Sequence, residues 1–538
     1  MISSYNNLEC FVYCYGCGKM TSKMDLKHVL FILAIIFLPV THFRIDMPLI
    51  GTALSKFFIL AGIILSVLKL TVGNLKSTRF ERFAFFYLLV FLLWQCLCTV
   101  IGIQDFDYYD LVSLDQMDKL RYFIQTLRYN GIPVTDIVAI KVWLCLRFLK
   151  NCLLYVIFSY GVSLWVYHLY QDKDRCFKGS RSLAISHFTI AITVLCLIMT
   201  VYSIIEVGYL TGNLTCARIL SQINPLLYEV KKLHGWWPPL LWKNQLRSLF
   251  AEPSFFGLAS TMIVPVLIYK ILDFQKNVLK KRFFTCVFGI FVVMLFLTRA
   301  RTALLLFIGQ LVLFILYVLF FNRDYFKKVF RILVIVLLSF GVSLSIMSSF
   351  RVVNLDSGKA YTANVQATAA YYISDNVASV VGNKRSNSAR FASVRATFLT
   401  GLQHPLFGVG MGLNTAYVNA NFTEEDLRNN EVRNWSRYIE REGVLKSPIP
   451  VLNQFSVVLA NFGLVGLLLY LMPVFYVLFG ILRVLKHEPT LEFACLCIAY
   501  IATVAAMLSN SAFLTYYIMT GVLISYIHMN NRRDSNYE

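Results

Sequence analysis

The stretch FFTCVFGIFVVMLFLTRARTALLLFIGQLVLFILYVLFF, residues 283–321, decides the architecture. Two apolar runs, each near the roughly 20 residues that a helix needs to cross about 30 Å of hydrocarbon, are joined by Thr298-Arg299-Ala300-Arg301. A segment inside a bilayer must satisfy its own backbone hydrogen bonds, so both runs are expected to be helices. The tight link then makes them a pair that crosses and returns.

Working outward, runs of this kind recur near 28–43, 52–71, 82–103, 141–169, 183–207, 255–273, 283–299, 302–321, 329–349, 449–482, 491–508 and 511–528. That is roughly twelve by the same length criterion. Residue alternation, which a barrel requires, is absent. The expected fold is therefore all-α and polytopic. Composition agrees: of 538 residues 58% are hydrophobic and 15% charged, against about 25% charged in soluble domains.

The formal charge of +21 would point to nucleic acid in a soluble chain. Here the basic residues fall in alternate loops, as the positive-inside rule asks of cytoplasmic segments. Lys76, Arg79 and Arg82 follow the second run, Lys173 to Arg181 the fourth, Lys276 to Arg282 the sixth, Arg323 to Lys328 the eighth, and Arg483 with Lys486 the tenth. Arg532 and Arg533 lie near the C-terminus. Both termini are expected to be cytoplasmic, and no nucleic-acid partner is needed. The thirteen Cys lie mostly in apolar runs, where a thiol acts as a small hydrophobe. Cys10, Cys14 and Cys17 approach zinc spacing without a second ligand pair, so no metal site is assigned.

Four regions follow: a cytoplasmic leader at 1–27, a transmembrane bundle at 28–349 with external loops at 104–140 and 208–254, a long external loop at 350–448 between the ninth and tenth spans, and C-terminal helices at 449–538. Loops of that length are usually functional. Within the longest, Phe391, Val394, Phe398 and Leu402 recur at helical spacing, and His404-Pro-Leu-Phe-Gly408 reads as a sharp bend.

The external side gathers charge near membrane edges. Glu252 precedes Pro253, a residue suited to a helix's first turn; it is either a cap at the positive helix end or a positioned base. Arg299 and Arg301 occupy a short external link that positive-inside statistics would keep free of arginine. They either snorkel to headgroups or grip phosphate, for which the guanidinium fork is well shaped. Arg390 and Arg395 are five residues apart, hence on different faces of a helix. Arg390 with Arg301 would form a cationic pocket for a pyrophosphate. His404 in its turn reads first as structural, and Asp105 with Asp107 has no further metal ligand in view. Nucleotide-binding glycine motifs are absent, so no cofactor is expected.

These residues resemble the O-antigen polymerase and ligase (Wzy) superfamily. The resemblance rests on Ala300-Arg301-Thr302, on Ser388-Ala389-Arg390, on His404-Pro-Leu-Phe-Gly-Val-Gly-Met-Gly-Leu-Asn414, on Glu252-Pro-Ser-Phe-Phe-Gly257, and on Asn453 followed by Asn461-Phe462-Gly463. It covers roughly 247–465, judged by motif spacing. Leu452 stands where ligases usually carry His, and Asn461 where an acid is usual, so no ligase-type catalytic histidine is carried over; the missing His and the Glu252-Pro-Ser-Phe-Phe-Gly257 element favour polymerisation over ligation. The resemblance implies a GT-C-like, inverting, metal-independent glycosyltransferase of the bacterial inner membrane, acting externally on an undecaprenyl-diphosphate-linked oligosaccharide. Arg301, Arg390 and Glu252 would be catalytic; Arg247, Arg299, Arg395, His404, Asn414 and Asn453 would bind substrate. Membrane lipid and a chain-length regulator are the implied partners. The alternatives are a ligase using the same donor and a flippase of lipid-linked oligosaccharide.

Overall fold

Apolar sequence becomes helix along nearly the whole chain. The structure is a computed structural model and describes residues 25–47, 50–72, 78–112, 118–133, 135–170, 183–228, 244–273, 277–354, 358–362, 385–446, 449–487 and 489–534. Cys10, Cys14 and Cys17 lie outside the described residues, as does most of the expected leader.

The first half comprises α1 (Leu26–Ile36), α2 (Leu54–Val72), α3 (Arg79–Gln104), α4 (Asp118–Tyr129), α5 (Asp136–Val156), α6 (Val162–Tyr170), α7 (Leu183–Leu210) and α8 (Leu214–Leu227). Then come α9 (Pro253–Asp273), α10 (Val278–Leu297), α11 (Arg301–Phe321) and α12 (Phe326–Met347). The long segment between α12 and the closing helices holds strands β1 (Arg351–Asn354) and β2 (Lys359–Thr362), then α13 (Arg385–Gln403), α14 (Asn414–Ala420), α15 (Glu424–Arg428) and α16 (Asn430–Glu442). The chain closes with α17 (Gln454–His487), α18 (Leu491–Ala506) and α19 (Leu514–Asp534). The two strands pair antiparallel, with Arg351 opposite Thr362, a small exception to the all-α expectation.

Among the described residues, six helices are long and apolar enough to cross a membrane: α3, α7, α9, α11, α12 with the turn before it, and α17. Leu26–Ile36, Leu54–Leu68 and Leu491–Ala506 are shorter apolar helices. The chain is thus a multi-pass membrane protein. The remaining apolar runs differ for visible reasons. The 141–169 run is divided between α5 and α6 by a π-turn at Ile157–Gly161 whose Ser159 leaves helical geometry. Lys280, Lys281 and Arg282 occupy the first two turns of α10.

Ends are set by local chemistry. Thr78 and Glu81 form a reciprocal capping box before α3, and Asn213, Asn277 and Thr490 accept backbone N–H groups at the starts of α8, α10 and α18. Such caps satisfy donors that have no partner inside the helix. At this basic end Glu81 meets His168 at 2.6 Å, the Tyr317 hydroxyl donates to the Pro489 carbonyl at 2.8 Å, and Tyr269 donates to Glu492 at 3.2 Å.

The interior is centred on α9, which is buried along nearly its full length and packs against α10, α11 and α18. Large apolar side chains on α3, α11, α12 and α17 instead point outward, among them Phe85, Leu305, Leu337 and Phe479, as a lipid-facing surface requires. A buried tyrosine network ties α17 and α19 to the α5–α6 region. Tyr160 donates to the Tyr470 carbonyl at 2.5 Å and meets the Tyr516 hydroxyl at 3.0 Å.

Candidate active site

The site lies at the end opposite the basic loops, where α9, α11, α17 and the α18–α19 connection finish together. Proline at the first helical position lacks only an N–H that would be unpaired there, and α9 duly begins at Pro253. Glu252 therefore sits beside the positive end of that helix, where a carboxylate is favoured. Its carboxylate accepts from the Ser254 hydroxyl at 3.2 Å. Gly257, one turn further, lets α9 close on α11: a Cβ at Gly257 would lie 2.5 Å from that of Ala303. The contact brings Glu252 and half-buried Arg301, the first residue of α11, to the same end of two touching helices.

The link before Arg301 is held by Thr298, whose hydroxyl donates to the Leu295 carbonyl at 2.7 Å and accepts from Ala300 N at 3.2 Å. Arg299 has φ of +51°, a region that costs a non-glycine residue about 1–3 kcal/mol and is concentrated at functional sites. Its Nη1 donates to the Asn244 carbonyl at 3.3 Å.

Arg247 has a different setting from the one its charge suggested. Its side chain is 1% exposed. Nη2 donates to the Tyr202 hydroxyl at 2.9 Å, Nη1 donates to the Phe250 carbonyl at 2.5 Å, and the guanidinium lies 4.9 Å from the Tyr228 ring centroid. Glu206 faces it at 4.0 Å and also accepts the backbone N–H groups of Arg247 and Ser248 at 3.1 and 2.7 Å. The observed partners of Arg247 make it a clamp between α7 and the segment leading into α9.

Asn453 accepts Ser456 N at 2.9 Å at the start of α17 and donates to the Leu508 carbonyl at 3.1 Å. Its neighbour Gln454 bridges the Tyr155 hydroxyl, at 2.9 Å, and Ala512 N, at 2.8 Å. Phe513, next along, stacks on Phe255 of α9 at 5.9 Å. On the outer side, Ser393 of α13 donates to the Pro450 carbonyl at 3.4 Å. One chain of contacts thus runs from the helix bearing Arg390, through Asn453 and Phe513, to the helix start beside Glu252. Arg390 is exposed.

The five-residue spacing of the two α13 arginines separates them as expected. Arg395 pairs with Asp426 and also donates to the Asn421 carbonyl at 3.3 Å. The Asp426 carboxyl is held below its usual range: partial burial would raise it, but hydrogen bonds from Thr423 and the Arg395 guanidinium lower it further. A lowered carboxylate pKa contributes stability above the unfolded value and loses it as pH falls through the folded one. Arg395 is 43% exposed, so Arg395→Ala is expected to cost only about 0–1 kcal/mol. Thermal unfolding of purified protein between pH 7 and pH 3 checks both size and direction.

The apolar stripe whose spacing marked α13 as a helix faces outward. Phe391, Phe398 and Leu402 are exposed, whereas Ala389, Ala392, Ala396 and Thr400 are buried. Small residues permit close helix approach, and Gly401 meets Leu459 of α17 so closely that a Cβ would lie 2.6 Å from its Cγ.

A feature the sequence did not disclose is the crossing of residues 404–413 with α17. Gly463 has φ of +65° and ψ of −170°, which interrupts that helix. The turn after α13 fills the interruption: Val409 N donates to the Ala460 carbonyl at 2.8 Å, Gly410 N to the Asn461 carbonyl at 2.9 Å, and Leu464 N to the Pro405 carbonyl at 2.7 Å. Trp94 of α3 donates to the Phe462 carbonyl at 3.0 Å. The glycines of the Gly408-Val-Gly-Met-Gly412 run were the available signal. Asn461, noted for replacing an acid, stands within this break, and Asn414 opens α14 just beyond it.

Beside the crossing is a hollow of about 200 Å³ lined by Ile101, Gly102, Asp105, His404, Tyr417 and residues 405–409. His404 meets Tyr417 edge-on at 5.1 Å, and Tyr417 in turn faces Asp107 at 3.5 Å. Burial pushes the Tyr417 phenol up to about 12, so it remains a hydroxyl donor.

No curated protein matches the chain. Residues 286–471, from α10 to the middle of α17 and so including Arg301, Arg390 and the whole crossing, match the family model described as O-antigen ligase. Over those residues the chain is similar to the Wzy and O-antigen ligase superfamily.

Proposed function

We propose that this protein is the polymerase of that superfamily, joining undecaprenyl-diphosphate-linked oligosaccharide repeats into a surface polysaccharide at the external face of the bacterial inner membrane. The observation that carries the reading is the contact of Gly257 with Ala303, which sets Glu252 and Arg301 at one end of adjacent helices. That end is opposite the basic loops, which the positive-inside rule assigns, with both termini, to the cytoplasm.

The chemistry follows from the groups. An acceptor hydroxyl attacks the donor's anomeric carbon, the carbon–oxygen bond to the diphosphate breaks, and its electron pair leaves with the lipid diphosphate. Arg301 and Arg390 neutralise the charge growing on that leaving group, a task for which the guanidinium fork is well shaped. The hydroxyl proton passes to Glu252, in the manner of a positioned general base. Attack opposite the leaving group inverts the anomeric centre. Arg299 and Asn453 shape the surrounding backbone, and Arg247 positions the entry to α9 from within the protein.

Arg301→Ala and Arg390→Ala are each expected to lower polymer formation by about 10²–10³, the scale for losing one transition-state donor. Arg301→Lys should retain part of the activity as a point charge without the fork. A glycan gel of complemented deletion strains, with protein amounts matched, reads this out. An intact ladder with Arg301→Ala would refute the assignment.

The family description also supports ligation, which uses the same donor. Mass spectrometry of lipid-linked glycans in the deletion strain separates the readings. Single repeats attached at the surface with no ladder mean polymerase, whereas full-length lipid-linked chains left unattached mean ligase. Single repeats trapped on the cytoplasmic leaflet mean a flippase and remove the arginine pocket. A chain-length regulator as partner would appear by co-purification with the tagged protein from the complemented strain.

A further inference from the structure

The hollow beside the crossing plays no part in holding a diphosphate. Among the described residues its lining includes Asp105, His404 and Tyr417 and neither Lys nor Arg, so no guanidinium or ammonium on its wall is in place to hold an anion. Its volume of about 200 Å³ falls below the roughly 300–1,000 Å³ of drug-sized sites, which suits one ring better than a chain.

The walls are of two kinds. Tyr417 is 7% exposed, fixed edge-on by Tyr108 at 5.0 Å, by Phe106 at 5.9 Å and by His404 at 5.1 Å. Aromatic rings with a polar tip offer an apolar wall for C–H groups and a hydroxyl for hydrogen bonding. Asp105, exposed at the mouth, accepts hydrogen bonds only, while the imidazole of His404 donates at one nitrogen and accepts at the other. An apolar ring edge with alternating donors and acceptors is the surface of a neutral sugar.

The floor is rigid. A Cβ at Gly102 would lie 2.2 Å from the Val409 carbonyl oxygen, so α3 and the turn are in direct backbone contact. Met411 N donates to Thr99 Oγ1 at 3.2 Å on the same seam. A pre-formed site loses less ordering entropy on binding.

We infer that this hollow is the acceptor-saccharide subsite, taking the uncharged terminal sugar of the acceptor glycan, with Asp105 and His404 bonding its hydroxyls and Tyr417 forming its aromatic wall. The inference rests on the reading that the protein transfers lipid-linked glycan.

The probe is the oligosaccharide released by mild acid from the lipid-linked pool of the deletion strain, titrated into detergent-purified full-length protein and followed by saturation-transfer NMR. Binding to the wild type is expected, weakened tenfold or more by Asp105→Ala and by His404→Ala. Arg301→Ala should bind the released sugar like wild type, and inorganic pyrophosphate should not displace it. In cells, Asp105→Ala and His404→Ala should shorten the ladder and leave lipid-linked repeats unconsumed. Unchanged binding in both variants, or displacement by pyrophosphate, overturns the subsite. A lost ladder in Arg301→Ala with normal ladders and binding in both hollow variants removes the subsite and keeps the polymerase. A normal ladder in the deletion strain, with sugar binding still sensitive to Asp105→Ala, removes the polymerase and keeps a glycan site.

Discussion

Alanine at Gly408 is expected to remove most of the correctly folded protein. Gly408 has φ of +66°, and a Cβ there would fall 2.5 Å from Asn461 C and Phe462 N. These atoms belong to backbone, not to a flexible side chain tip, so the turn and α17 must part. The left-handed conformation costs an L-residue about 1–2 kcal/mol, and overpacking adds about 1–3 kcal/mol. Separation would also strand the carbonyls of Ala460 and Asn461, which take their hydrogen bonds from Val409 and Gly410. Buried carbonyls left without a donor cost about 1–3 kcal/mol each. Against a total stability of about 5–15 kcal/mol, that loss is large. Gly309→Ala is the control, because nothing lies within 4 Å of its added Cβ. Size-exclusion profiles and thermal midpoints of the two variants decide the matter; equal midpoints would mean that the crossing is not the seam described.

Why the sequence hid this seam is a matter of periodicity. The run 449–482 reads as a single apolar span, and one Gly-ending tripeptide, Asn461-Phe462-Gly463, does not mark a break. The break becomes visible only when a distant turn supplies the missing hydrogen bonds. By contrast, the pair α10–α11 was legible because each apolar run is uninterrupted and the link is short. The start of α9 was legible because proline at the first position has a local physical meaning. α13 was half legible: its spacing gave a helix, but an apolar stripe does not say whether lipid, solvent or protein covers it. The small residues Ala389, Ala392 and Ala396 seat that helix, and they carry a weak apolar signal. Of the site, Glu252 and Arg301 stand at one end of two helices that touch at Gly257 and Ala303. The environment of Arg247 escaped because its carboxylate partner, Glu206, lies 41 residues upstream inside an apolar span.

That partner makes Arg247 the residue on which structure and catalysis separate most sharply. Arg247→Met is expected to destabilise the protein by about 3–5 kcal/mol, since Glu206 would remain buried without its cation. The double variant with Glu206→Leu should recover part of the loss, because an apolar pair can replace a buried ion pair at little cost. Recovery would be incomplete: Glu206 also accepts two backbone N–H groups, from Arg247 and Ser248, and burying donors unpaired costs about 1–3 kcal/mol. Arg301→Ala, at the half-buried start of α11, should leave the thermal midpoint nearly unchanged while removing the ladder. The same segment that Arg247 clamps is tied to the end of α10 by Leu246 N donating to the Leu297 carbonyl at 3.0 Å, and it runs directly into Glu252. Loosening the clamp therefore shifts the proposed base, and any polymer lost in Arg247→Met should return with the stability in the double variant. A wild-type midpoint with a lost ladder in Arg247→Met would instead mean that its guanidinium reaches substrate, and the clamp would have to be abandoned.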